Sequence, residues 1–179
     1  MPDLHRGVVS TMTSVDVAAR ITSEKLSLTE IDSPIVRAVL DHWTAAKGER
    51  SMPRRADMKP EEMRRGLGHI MIFERDAGGK GFRYRLFGSG IAAAQGRDFT
   101  RRLVRELEPP NYAALIERHY EECFATKSLS YYRIAVSLRG RSMEYTRLLL
   151  PLSSDGIEVD MVIAVSDSEK DFWNFFIDI

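Results

Sequence analysis

Cysteine is nearly missing from this chain: Cys123 is the only one in 179 residues. A single thiol excludes an internal disulfide and any zinc site built on several cysteines, and it fits a reducing compartment. Charge of one sign is missing too. The 26 basic side chains meet 26 acidic ones, so no overall field draws the chain to nucleic acid or to an anionic membrane. No apolar run approaches a membrane span, and the opening Met1-Pro-Asp-Leu-His-Arg6 lacks the apolar stretch of a signal peptide. The expectation is a cytoplasmic protein with no nucleic-acid partner and no membrane insertion. Lysine is scarce as well, with 6 against 20 arginines. Arginine forks bind carboxylate and phosphate, so local arginine clusters matter.

What is present suits one globular domain. Hydrophobic residues make up 44%, enough for a single core in a chain of this length. Residues 1–32 are weakly patterned and read as a flexible leader. Ser33-Pro34 is a helix start, because Ser caps well and Pro is favoured at the first helical position. Ile35, Val36, Val39, Leu40 and Trp43 then form a helical stripe to about Lys47, and Gly48 stops it. A Pro-bounded connector runs from Met52 to Pro60, where Arg55 and Asp57 are expected to form an ion pair. A short helix is predicted over 60–67.

Strands are predicted near 69–75 and 82–88, joined by the turn Asp76-Ala-Gly-Gly-Lys-Gly81. In the second of these, Phe82, Tyr84 and Leu86 share a face. Residues 111–127 form the clearest long helix, with Tyr112, Leu115, Ile116, His119, Cys123 and Phe124 on its apolar side. Three more strands are expected near 129–138, 143–152 and 159–165, with Leu148, Leu150 and Leu152 on one face of the middle one. The tail 169–179 carries Phe172, Trp173, Phe175 and Phe176 and suits a contact surface. Strands joined by tight turns give an antiparallel sheet with helices on one face, an α+β domain over 33–168.

Catalytic patterns are thin. No G-x-S-x-G occurs, and Cys123 falls on the apolar side of a helix, where a thiol is inert. Gly88-Ser-Gly90-Ile-Ala-Ala93 fits a loose dinucleotide pattern, but no second parallel strand follows it, so we read a glycine turn. Arg97, Arg101, Arg102 and Arg105 are the best anion-binding candidates; the alternative is a solvated face paired with Asp98, Glu106 and Glu108. His119 and Glu122 stand at i, i+3, but two ligands do not make a metal site. The reading is that the chain is not an enzyme and holds no metal.

Trp43, then Pro53-x-Arg55-x-Asp57-x-x-Pro60, then Phe82-Arg83-Tyr84-Arg85-Leu86-x-Gly88, then Gly96-Arg97-Asp98-x-Thr100, then Leu150-Pro151-Leu152-x-x-Asp155-Gly156 resembles a bacterial family of stand-alone PAS-like proteins across residues 33–165. The resemblance implies a five-stranded antiparallel sheet with crossover helices and an N-terminal flanking helix over 33–47. It implies a sensory or regulatory module acting in signal transduction through protein–protein contacts, with a partner such as a kinase or regulator. The alternative is a sensor of haem, another hydrophobic ligand or a cyclic dinucleotide. Where family members often carry Gly after the Thr, this chain has Arg101, which bears on the loop's shape.

In a PAS fold the ligand cavity lies between the sheet and the crossover helices. Tyr84, Leu86, Ile116, His119, Tyr132, Ile134 and Leu148 are the expected lining, packed tightly enough to fill it. Some haem PAS domains place a proximal His on the helix equivalent to 111–127, which makes His119 a candidate iron ligand. The expectation is that no cofactor is bound and that His119 is structural. A homodimer is expected, because Trp43 with its stripe and the aromatic tail all need burial.

Overall fold

Ser33 caps the first long helix as its position demands. Its Oγ accepts the amide of Val36 at 3.2 Å, and Pro34 takes the first helical position, where a missing N–H costs nothing. In the computed structural model, which describes residues 19–138 and 140–168, this helix (α1, Pro34–Lys47) ends at Gly48 with φ +56°. Three short 3₁₀ turns lead through the connector to β2 (Ile70–Arg75) and β3 (Phe82–Phe87). The crossover holds α2 (Ser89–Gln95) and α3 (Pro110–Thr126); β4 (Ser130–Leu138), β5 (Arg141–Leu152) and β6 (Met161–Ser168) follow. All five expected strands and both long helices lie within a few residues of their predicted limits.

The sheet has one strand more than expected. β1 (Arg20–Leu26), in the segment read as leader, pairs antiparallel with β4 from Arg20–Ser137 to Leu26–Tyr131. The order is β1-β4-β5-β6-β2-β3, antiparallel throughout. β1 is a polar edge strand, mostly exposed, so it lacks the alternation that betrays a half-buried strand. Side chains clamp it to α3 instead. Ser23 bonds His119, Lys25 pairs with Glu122, and the amide of Asn111 donates to the carbonyl of Ala19 at 2.6 Å. Residues 1–18 and the aromatic tail with Phe172, Trp173, Phe175 and Phe176 lie outside the described residues.

Register sorts the inner strands onto two faces, because antiparallel partners point to the same side. Tyr132 is paired with Arg147, Arg147 with Ser166, Ile134 with Tyr145, and Phe73 with Tyr84. Phe73 stacks on Tyr120 of α3, so this face looks at the crossover. The opposite face carries Leu148, Leu150, Ile163 and Val165. It is covered by α1, which packs on β5 and β6 and buries Val36, Val39, Leu40 and Trp43. Trp43 Nε1 donates to the carbonyl of Pro151 at 2.9 Å and fixes the helix to β5. β5 is therefore dry on both faces from Tyr145 to Leu152, apart from the half-buried Thr146.

The connector is pinned differently from the expected Arg55–Asp57 pair. Asp57 meets Arg50 Nη2 at 2.8 Å and accepts the amide of Arg54, while Arg55 donates to the carbonyl of Met58. A 3₁₀ turn at 55–57 separates the two side chains and leaves Arg50, at the end of α1, within reach. Gly88 and Gly90 serve packing. A Cβ on Gly88 would stand 2.6 Å from the carbonyl oxygen of Gly68, and one on Gly90 2.9 Å from the same atom. The backbone of 68–70 needs that closeness.

Candidate ligand site: a buried arginine among tyrosines

The central strand carries a residue that does not match its surroundings. In Tyr145-Thr-Arg147-Leu-Leu149, alternation places Tyr145, Arg147 and Leu149 on the α3 side. Arg147 is 2% exposed. Its Nη2 donates to the hydroxyl oxygens of Tyr145 at 2.7 Å and Tyr112 at 3.1 Å, and its Nε reaches Ser166 Oγ at 3.4 Å. Tyr112 and Tyr145 are joined by a hydrogen bond of 2.6 Å between their hydroxyls. Nη1 is buried with no hydrogen-bond partner, and so is the hydroxyl of Tyr120.

The electrostatics are one-sided. Burial works against the guanidinium's charge, Tyr145, Tyr112, Tyr120 and Tyr84 act in its favour, and the group's pKa lies above its usual value; arginine keeps its proton in proteins in any case. The arginine is thus a cation. Burial pushes Tyr84 and Tyr145 well above the ordinary phenol pKa, so they are neutral at any physiological pH. No ion pair reaches Arg147 among the described residues. Among the described residues one positive charge therefore stands in the core without a counter-charge, the kind of group that is expensive to bury.

A second polar group borders the cluster. His119 stacks on Tyr132, with centroids 3.8 Å apart and planes 4° from parallel, and its Nε2 is 3.1 Å from Ser23 Oγ. Its Nδ1 is buried and unpartnered. Burial first, then the positive charges of Arg147 and Arg118, lower its pKa to about 3. The ring is neutral near pH 7 and too weakly basic to serve as an effective general base there. Cys123 is buried on the same helix, and its thiol pKa is raised to about 12 by burial and by Glu122, too high for a thiolate nucleophile.

The expected lining residues divide. Tyr84, Ile116, His119, Tyr132 and Ile134 lie between the sheet and α3, all buried. Leu148 and Leu86 do not join them. Leu148 points under α1, one residue out of step with Arg147, and Leu86 is 39% exposed because the irregularity at Ile72/Phe73 turns it to the outer side of edge strand β3. Missed by the sequence reading were Arg147, Tyr145, Tyr120 and Ser166. A signal existed: an arginine beside Leu148-Leu149-Leu150, in a strand too apolar to have a wet face, has to be buried.

The arginine cluster at 97–105 does not converge. Arg97 lies over the Phe99 ring at 4.8 Å, Arg102 pairs with Glu106 at 3.3 Å, and Arg105 donates to the carbonyl of Lys80. Arg101 holds φ +69°, a left-handed conformation that Gly adopts freely. Among the described residues no three His, Cys, Asp or Glu side chains gather as a metal site, and no helix is long and apolar enough to cross a membrane.

An antiparallel sheet closing on a helical crossover, with a polar cluster held between them, defines a small α+β module. The model of the PAS domain family matches residues 31–165, and the chain belongs to that family of sensory and regulatory domains. Among solved structures it is similar to the PAS domain of Bordetella pertussis BvgS, with 15% identity and a TM-score of 0.46 over 55% of this chain and 74% of that one. It is also similar to an RNA-binding light-oxygen-voltage receptor, with 12% identity and a TM-score of 0.44. That match covers 87% of this chain and 40% of the receptor, so the chain spans less than half its length. No curated protein matches.

Proposed function

We propose that this chain is a non-catalytic sensory module of signal transduction, which reads a small ligand between its sheet and α3 and passes the result on by protein–protein contact. The observation that carries the reading is the charge of Arg147, buried in the core with no ion pair among the described residues and with Nη1 unpartnered. A domain that only docked on partners would gain nothing from that charge, since apolar side chains of similar volume pack there at lower cost. A bound ligand is what such a charge calls for.

Other ligands are less well served. As a haem ligand, His119 would have to give up its stack on Tyr132, its contact with Ser23, or both. A cyclic dinucleotide needs several converging arginines, and Arg97, Arg102 and Arg105 are engaged with separate partners. For output we propose a homodimer that engages a signalling protein such as a kinase or regulator. The half-exposed apolar side chains of Leu67 and Leu86 are consistent with a contact surface. Native mass spectrometry of the full chain tests both halves. A small-molecule mass retained by the wild type and lost in Arg147→Met, on a dimer, is the expected result. A bare monomer with identical spectra for both proteins contradicts it.

A further inference from the structure

We infer that Arg147 is the receptor for the carboxylate of a small organic monoanion with an apolar body, held between β5 and α3 with Tyr120 as the second donor. The inference rests on the sensory reading above and narrows it to a ligand class. Charge comes first. The guanidinium stays protonated at every accessible pH, and its neighbours are neutral phenols and Ser166. The missing element is one negative charge. A dianion would only exchange a buried positive charge for a buried negative one.

Hydrogen-bond bookkeeping points the same way. Nε and Nη2 are in use, which leaves Nη1 with both of its N–H groups; the Tyr120 hydroxyl, near enough to feel the Arg147 charge and facing the Tyr84 hydroxyl, makes no well-formed hydrogen bond either. Both open groups can donate. A ligand that offers acceptors alone satisfies them, and a carboxylate has two oxygens, several lone pairs and no donor. The rest of the surroundings set the body of the ligand. Phe73 stacks on Tyr120 with centroids 3.4 Å apart. Ile116 lies one helical turn from Tyr120, and Leu149 follows Arg147 on the same face; both are buried. An apolar or aromatic body suits these walls, whereas inorganic phosphate and chloride have none to offer.

The test is thermal unfolding of the full chain in chloride-poor buffer with sodium benzoate, sodium acetate, inorganic phosphate or sodium chloride. At one hundred times its Kd, benzoate is expected to raise the Tm by about 5–10 °C, and acetate less. Arg147→Met abolishes the rise. Tyr120→Phe keeps the Phe73 stack and weakens benzoate roughly tenfold; it carries the test if the Met variant does not fold. Unchanged benzoate affinity in Tyr120→Phe overturns the role of that hydroxyl. A response to phosphate or chloride that needs Arg147, with both carboxylates inert, overturns the carboxylate assignment and leaves the sensory site standing. No response to any of the four, or an equal response in Arg147→Met, overturns both.

Discussion

Moving this protein from pH 7.5 to pH 5.0 costs it stability through His119 alone. The folded ring stays neutral down to about pH 3, while in the unfolded chain it takes up a proton near its ordinary 6.5. The sign follows from linkage: the unfolded state binds more protons over this window, so stability is fully present above about 6.5 and falls as pH drops toward 3. At pH 5.0 the unfolded ring is 1.5 units below its pKa, which converts to about 2 kcal/mol. Urea unfolding reads this as a midpoint lower by about 1 M, taking a slope near 2 kcal/mol per M. The groups facing the ring are Arg147 on β5, Arg118 and Glu122 on α3, and Lys25 on β1. Their own titration is removed by comparison with His119→Phe, which keeps a ring against Tyr132 and loses the contact with Ser23. The variant is expected to lack the 1 M shift between the two pH values. An equal shift in both proteins would refute the reasoning, because the pH dependence would then arise elsewhere.

Three further outcomes follow from the packing. Trp43→Phe leaves the Pro151 carbonyl without its donor and costs about 1–3 kcal/mol by chemical denaturation; an unchanged midpoint would detach α1 from the account of the sheet's outer face. Arg101→Gly relieves the left-handed backbone at φ +69°, and it raises stability by up to about 1 kcal/mol once glycine's greater unfolded freedom is deducted; a lowered midpoint would show that the arginine side chain contributes more than its strain removes. Cys123, buried and with its thiol raised to about 12, reacts with a thiol reagent only after denaturation at pH 8; fast labelling of the native protein would contradict its placement.

The sequence disclosed the sheet better than the chemistry inside it. Strands with turn residues at their ends and alternating faces, such as Phe82–Phe87 and Ser130–Leu138, were legible from local pattern. β1 was not, because its sequence Arg-Ile-Thr-Ser-Glu-Lys-Leu is polar and it is held by side chains from α3, a hundred residues away in sequence. The site failed to show for a related reason. Placing Leu148, Leu150 and Leu152 on one face of β5 said nothing of Arg147 on the other, whereas α1 covers those leucines and α3 covers the arginine. Coverage of both faces is a tertiary fact that period-two alternation cannot express. Tyr120 was overlooked likewise, since it sits beside His119 at the margin of the helical stripe, and only the stacking of Phe73 shows that the margin is buried.

Arg147 is a buried charge with no anionic partner among the described residues, and the stability of Arg147→Met in carboxylate-free buffer tests most directly whether the fold needs it. Methionine removes the charge and roughly fills the space. Tyr112 and Tyr145 still have each other, through their 2.6 Å hydrogen bond. The account predicts a urea midpoint equal to or above that of the wild type, as when other buried charges are replaced by apolar groups. A loss of about 3 kcal/mol or more, the range seen when a satisfied buried ionic group is broken, would contradict it and make Arg147 a structural residue.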